Sequence, residues 1–266
     1  MNGGRQRTLT LLAWGAAGVA VVVFALIATG LLAGRGSATP AAATQQPQRS
    51  PLARRLHGYP VDRRIPSLPM IDRRGHRTSL AAFRGKVVVL APFLTLCGEI
   101  CPITTGAFIE LQHTLPPAVA RRVVFVEATV DPWRDSPYRL RAYSRRSGAR
   151  FPLLTGTKQQ VARFWQFFGV GYRKVPEGHP PDVDWLTHKP LHFDVQHTDA
   201  LFLIDPAGRE RVILAGSATG MQGHLSHALM SLLSTAGRYD LTHMPGWTVP
   251  TVERDIRYVL RAAGSS

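Results

Sequence analysis

The sequence predicts an α/β domain with a mixed central sheet, preceded by one N-terminal transmembrane helix. Three observations carry this. An uncharged apolar run opens the chain, strand-length apolar runs then alternate with helical patterns, and a β-hairpin followed by a helix closes the order.

The opening run extends from Leu9 to Ala33 and carries no charged residue. As a helix its roughly 25 residues span about 37 Å, enough to cross a bilayer core. Arg5 and Arg7 precede it, so the positive-inside rule places the N-terminus in the cytoplasm and the rest of the chain outside. A cleavable signal peptide is the alternative, with Ala41-Ala42-Ala43 as the small-residue cleavage site. The length of the run favours an uncleaved, single-pass anchor in the bilayer over residues 9–33. Residues 35–60 are rich in Ala, Pro and Gln without periodicity and read as a flexible linker. The expected organisation is therefore an anchor over 1–34, a linker over 35–60 and a folded domain over 61–266.

Within the domain, Pro69 to Leu80 reads as a short hairpin turning at Arg74-Gly75. Val87 to Phe93 is a continuous apolar run that suits a strand buried on both faces. A helix follows from Pro102 to about His113, with Pro102 in its first turn. Val123 to Val130 is the next strand, and Ser136 to Ser147 a helix with Ser136 as N-cap. Gln159 to Phe168 is a further helix ending at Gly169. Ala200 to Asp205 and Arg211 to Ala215 form a hairpin turning at Pro206-Ala207-Gly208. Gln222 to Leu233 and Val252 to Leu260 read as helices. Two stretches lie outside this order: a long loop over 169–196, rich in Pro and His, and a connection over 237–250. Loops of that length usually serve a purpose.

The chain of 266 residues has 32 Lys+Arg against 17 Asp+Glu, a formal charge of +15. Nucleic-acid binding is the reflex reading of such a balance. No interleaved aromatics, zinc finger or helix-turn-helix pattern supports it, and a solvated basic surface is the preferred reading.

Cys97 and Cys101 are the two cysteines. A bridge across so short a loop would staple almost nothing, so the pair points to reactivity or metal binding. The motif Cys97-Gly-Glu-Ile-Cys101-Pro102 lies where the first central strand meets its helix, as the reactive cysteines of the thioredoxin fold do. A helix N-terminus favours the thiolate, the form that attacks disulfides and binds soft metals. Two thiolates leave a metal under-coordinated. Among ten histidines, His197 is singled out because it directly precedes the strand Thr198 to Asp205. In a thioredoxin-like sheet the entry to that strand lies beside the cysteine turn. An S2N donor set suits copper as Cu(I) or Cu(II). Structural zinc sites usually have four protein ligands.

Three segments resemble the Sco (SenC) family of thioredoxin-like copper chaperones for cytochrome c oxidase assembly. They are the CxxxCP motif at Cys97–Pro102, the segment Val130-Asp131-Pro132-Trp133-Arg134-Asp135-Ser136-Pro137, and the run from His197 to Gly208 with its Asp205-Pro206-Ala207-Gly208 turn. Tyr172-Arg-Lys-Val-Pro is similar to the family's stretch upstream of its histidine. The resemblance implies that Cys97, Cys101 and His197 ligate copper, and that the chain delivers it to the binuclear centre of oxidase subunit II or to another exported cuproprotein. It implies a metallochaperone rather than an enzyme. Gln196 stands where the family often has an acidic residue, which bears on the tuning of the imidazole. His188, His192 and His243 are candidates for a further metal contact. Asp131 and Ser136-Pro137 read mainly as turn and cap residues, with Asp135 a candidate for a partner-facing surface.

The main alternative is an exported thiol–disulfide reductase using Cys97 and Cys101 as a redox-active pair. A peroxidase would want one activated cysteine with an Arg or polar partner, which CxxxC does not match. A local structural disulfide is the plainest reading of the pair.

Overall fold

Val87-Val-Val-Leu-Ala-Pro-Phe93 forms strand β4, and every one of its residues is buried. An apolar run of this kind needs cover on both faces, and the rest of the domain supplies it. The computed structural model describes residues 58–243 and 245–264. The anchor predicted over 9–33 lies outside the described residues. Among the described residues no helix is long and apolar enough to cross a membrane.

Before β4 come β1 (Tyr59–Arg64), β2 (Met70–Asp72) and β3 (Arg77–Thr78). After it follow α1 (Ile100–Thr114), α2 (Pro117–Ala120), β5 (Val123–Thr129), α3 (Pro137–Ser147), β6 (Leu153–Thr155) and α4 (Lys158–Phe168). The chain continues through β7 (Tyr172–Val175), β8 (Asp194–His197), β9 (Ala200–Ile204), β10 (Arg209–Ala215) and β11 (Ser217–Ala218). It ends with α5 (His227–Met230), α6 (Thr235–His243), β12 (Gly246–Trp247) and α7 (Val249–Gly264).

Eight strands make the main sheet in the order β1-β10-β9-β4-β5-β6-β2-β3. β4, β5 and β6 run parallel, while β9 is antiparallel to β4. The inner order β10-β9-β4-β5, with α1 between β4 and β5 and a hairpin near the end, is that of a thioredoxin-like sheet. β9 pairs with β4 only from Val88 to Leu90. Pro92, which has no N–H to give, lies past the last of these pairs. The end of β4 is thereby open on that side, and the cysteine turn follows directly.

The predicted helices over 136–147 and 159–168 form with the expected ends. Ser136 accepts the N–H of Arg139 at the start of α3, and Gly148 ends it in the left-handed region with φ 80°. Three stretches differ from the sequence reading. Residues 169–196 are not a plain loop, because β7 and β8 pair as an antiparallel hairpin and make His197 a strand residue opposite Tyr172. Gln222 to Leu233 is helical only over α5, and Gly223, at φ 75°, interrupts the run near its start. The connection over 237–250 contains α6 and β12, the latter paired with β11.

Candidate metal centre

The cysteine turn joins the end of β4 to α1. Glu99, at the N-cap position of α1, makes no capping bond through its side chain. The sulfur of Cys97 takes that role, accepting the N–H groups of Glu99 and Cys101, each at 3.4 Å. A helix N-terminus has donors to spare and favours a negative acceptor. Donation from the Cys101 thiol is the largest influence on Cys97. Together with His197 it overcomes the opposing effect of burial and brings the Cys97 thiol down to about 5. Cys101 moves the other way, well above the ordinary thiol value, through burial first and the adjacent Cys97 sulfur second. The pair is therefore unequal: Cys97 is a half-buried thiolate at neutral pH, and Cys101, 1% exposed, keeps its proton.

His197 arrives on β8. Its Nε2 lies 3.7 Å from Cys101 Sγ. Its Nδ1 lies 3.1 Å from the carbonyl of Thr198 and 3.5 Å from Asp199 Oδ1, so the Nδ1–H donates to the Thr198 oxygen and Nε2 faces the thiols. Burial would lower the imidazole pKa. The Cys97 sulfur and the Asp199 carboxylate outweigh it and shift His197 upward. Asp199 thus supplies the carboxylate that residue 196 lacks, while Gln196 Oε1 accepts from Arg173 in the hairpin. Ser217 in turn donates to Asp199 at 2.8 Å.

The segment Val130–Pro137 holds both halves of this arrangement. Asp135, 3% exposed, accepts the Thr95 N–H at 3.2 Å, the Thr95 hydroxyl at 2.5 Å and the Thr129 hydroxyl at 2.6 Å. Burial raises its carboxyl to about 7, with the charge of Asp131 adding to the effect. Ser136 caps α3, in keeping with the turn and cap chemistry expected of this segment, but Asp135 does not face a partner surface: it is an internal anchor for the chain entering the cysteine turn. Arg134, held by Asp131, donates to the Phe193 carbonyl at 2.7 Å and lies over the Phe193 ring. Lys174 of β7 caps the rings of Trp133 and Phe193, so aromatic and cationic side chains fix the hairpin that bears His197.

Two further supports come from segments the sequence left without structure. Trp185 Nε1 donates to the Thr95 carbonyl at 2.6 Å, and the bidentate Arg139–Asp184 pair pins its loop to α3. Ser234 N–H donates to the Gly98 carbonyl at 2.7 Å. Gly237 of α6 packs so closely that a Cβ there would lie 2.2 Å from the same oxygen. Neither contact had a periodic or spacing signal.

A cavity of about 470 Å³ opens at Cys97 and His197. Its lining includes Glu99, Glu177, Asp182, Asp194 and Asp199 and no Lys or Arg, although the whole chain is strongly basic. His188, His192 and His243 do not line it. His243 stacks on Tyr239 instead. Among the described residues no three His, Cys, Asp or Glu side chains are already arranged to hold a metal ion. The thiols and the imidazole meet as hydrogen-bonding partners. Their chemistry, two sulfurs and one imidazole nitrogen whose ring is held from behind, fits a soft cation that replaces the Cys101 proton.

The fold and this site define a thioredoxin-like protein with an unequal CxxxC thiol pair faced by a histidine. Residues 65–224 match the family model for SCO1/SenC, and the chain belongs to that family. It is 30% identical over 152 residues to a Stutzerimonas stutzeri protein provisionally named as copper-binding, covering 57% of this chain and 69% of that one. It is 26% identical over 190 residues to a SCO2-like protein of Rickettsia conorii, covering 71% and 87%. Among solved structures, the apo Sco1 protein of Thermus thermophilus superposes with a TM-score of 0.51 at 22% identity, over 78% of this chain and 96% of that chain. A SCO1/SenC family lipoprotein of Bacillus anthracis gives 0.51 at 20% identity, over 77% and 99%. These two likenesses speak to the fold.

Proposed function

We propose that this chain is a membrane-anchored metallochaperone that binds one copper ion through Cys97, Cys101 and His197 and delivers it to the binuclear copper centre of cytochrome c oxidase subunit II. The observation that carries the reading is the contact of His197 Nε2 with Cys101 Sγ beside the Cys97 thiolate. Family membership and the copper-binding name of the Stutzerimonas relative support it. The anchor over 1–34 and the linker expected after it, ending where β1 begins at Tyr59, would hold the domain at the outer face of the membrane, within reach of an exported cuproprotein.

In this reading Cys97 makes the first bond to the cargo, because it is both charged and half-exposed. Cys101 loses its proton as it joins, and His197 turns only slightly because its Nδ1 is tethered to Thr198. Release reverses the order, with a recipient's thiolates displacing the chain's sulfurs one at a time.

The inequality of the thiols favours a second reading, an exported thiol–disulfide reductase. Cys97 would attack a partner disulfide and buried Cys101 would resolve the mixed disulfide. Deleting the gene and adding copper separates the two. Rescue of oxidase activity by copper supports delivery. Persistent loss with accumulated oxidised partner thiols overturns delivery in favour of reduction.

A further inference from the structure

A second group of donor side chains lies on α1, away from the thiols. Glu110 and His113 are one helical turn apart and share a face. Glu110 comes nine residues after Cys101, about 13 Å further along the helix axis. It lines a cavity of about 640 Å³ that shares no residue with the one at the cysteines. His113 and His224, the latter from the segment before α5, line the same cavity. Neither copper ligation nor the supports of the cysteine turn use these three side chains.

Packing holds His224 against α1. Gly106, one turn before Glu110, lies so close to the next residue, Leu225, that a Cβ there would come within 2.2 Å of Leu225 Cδ2. Gly223 takes φ 75°, and the His224 N–H donates to the Met221 carbonyl at 3.1 Å, closing a tight turn. His224 Nδ1 thereby stands 3.1 Å from Glu110 Oε2. That carboxylate oxygen is buried yet accepts no hydrogen bond, so the ring is not aligned to donate to it. A plain ion pair would aim an N–H at the oxygen. Two ligand atoms on one tetrahedral cation, each about 2.0–2.1 Å from it, sit roughly 3.3 Å apart with no proton between them. The spacing of this pair is close to that.

We propose that Glu110, His113 and His224 form a second metal site, separate from the cysteines, that takes a divalent cation of the zinc type. One carboxylate and two imidazoles suit such an ion, and without a thiolate the set does not select Cu(I). It would take Cu(II) as well, whereas Cu(I) loads the thiol site alone. Glu110 and His224 already stand at ligand spacing. His113 is exposed, and its ring has no hydrogen-bond partner among the described residues, so it is free to rotate about its side-chain bonds and complete the set. Three protein ligands leave a fourth position open. Arg145, Arg146 and Arg150 also line the cavity, and Ser231 engages Arg146 at 3.0 Å. Their charge disfavours a bare cation and favours an anion on that open position.

The test is a zinc titration of the full chain carrying Cys97→Ser and Cys101→Ser, which remove the thiol site. That chain should bind one zinc ion. Adding Glu110→Gln, His113→Ala or His224→Ala should in each case weaken binding by more than about tenfold, since even the hydrogen-bond partner of a ligand is worth about 10–100-fold. Circular dichroism should show the fold unchanged in all three. His192→Ala, which lies outside the cavity, should leave the affinity as it was. A thiol-free chain that binds no zinc, or one whose affinity survives any of the three substitutions, overturns the proposal. An equal loss in His192→Ala would assign the zinc to scattered surface histidines and overturns it as well. None of these outcomes bears on copper binding at the cysteines.

Discussion

The Asp135 carboxylate grips both the N–H and the hydroxyl of Thr95, two residues ahead of Cys97. A side chain of the second βα turn therefore fixes the first, and the cysteine turn is built from two segments that are distant in sequence.

Asp135→Ala should accordingly destabilise the domain and disturb the site together. It leaves the buried N–H and hydroxyl of Thr95 without their acceptor, a loss of about 1–3 kcal/mol for each unsatisfied group. Thermal unfolding should report a lower Tm, and metal titration a weaker affinity. An Asp135→Ala chain with unchanged stability would mean that the Thr95 bonds contribute nothing net.

Gly237→Ala tests the support from the other side. The added methyl meets the Gly98 carbonyl and the Glu99 backbone inside ordinary contact distance, so α6 or the cysteine turn must shift. Overpacking of this kind costs about 1–3 kcal/mol. Metal affinity should fall with stability, whereas Gly264→Ala, which meets nothing, should change neither. Equal behaviour of the two variants would remove α6 from the account of the site.

Much of the βαβ core was legible because Val87–Phe93 is an unbroken apolar run, Val123–Val126 is a second one of four residues, and Ser136-Pro137 announces a helix. The cysteine turn was legible from its place between strand and helix. His197 was legible by position, although as a loop residue; β7 and β8 are four residues each, half-exposed and far apart in sequence, so no alternation marked them as strands. Asp199 was hidden because it follows His197 by two residues, whereas the family's acidic residue directly precedes the histidine, where this chain has Gln196. Trp185 and Gly237 act through single backbone contacts, which leave no pattern in a sequence.

The unequal thiols predict a pH profile. Cys97 is lowered to about 5, so its thiolate fraction grows as pH rises through that value and is nearly complete by pH 7. Alkylation of the reduced chain by iodoacetamide should therefore be almost independent of pH from 6.5 to 8 and fall below pH 5. Cys101, raised and buried, should stay unmodified over the same range. Peptide mapping of the alkylated chain identifies the modified residue. A rate that climbs steadily from pH 7 to 9 would place Cys97 at an ordinary thiol value and contradict the assigned environment.

The central claim is that two thiols and one imidazole form a single copper site, and copper stoichiometry tests it most directly. The reduced full chain should bind one copper ion per molecule. His197→Ala should keep its fold by circular dichroism yet hold Cu(II) far more weakly, with a smaller loss for Cu(I), which two thiolates can retain. A His197→Ala chain that binds both oxidation states as tightly as the parent would contradict the three-ligand site.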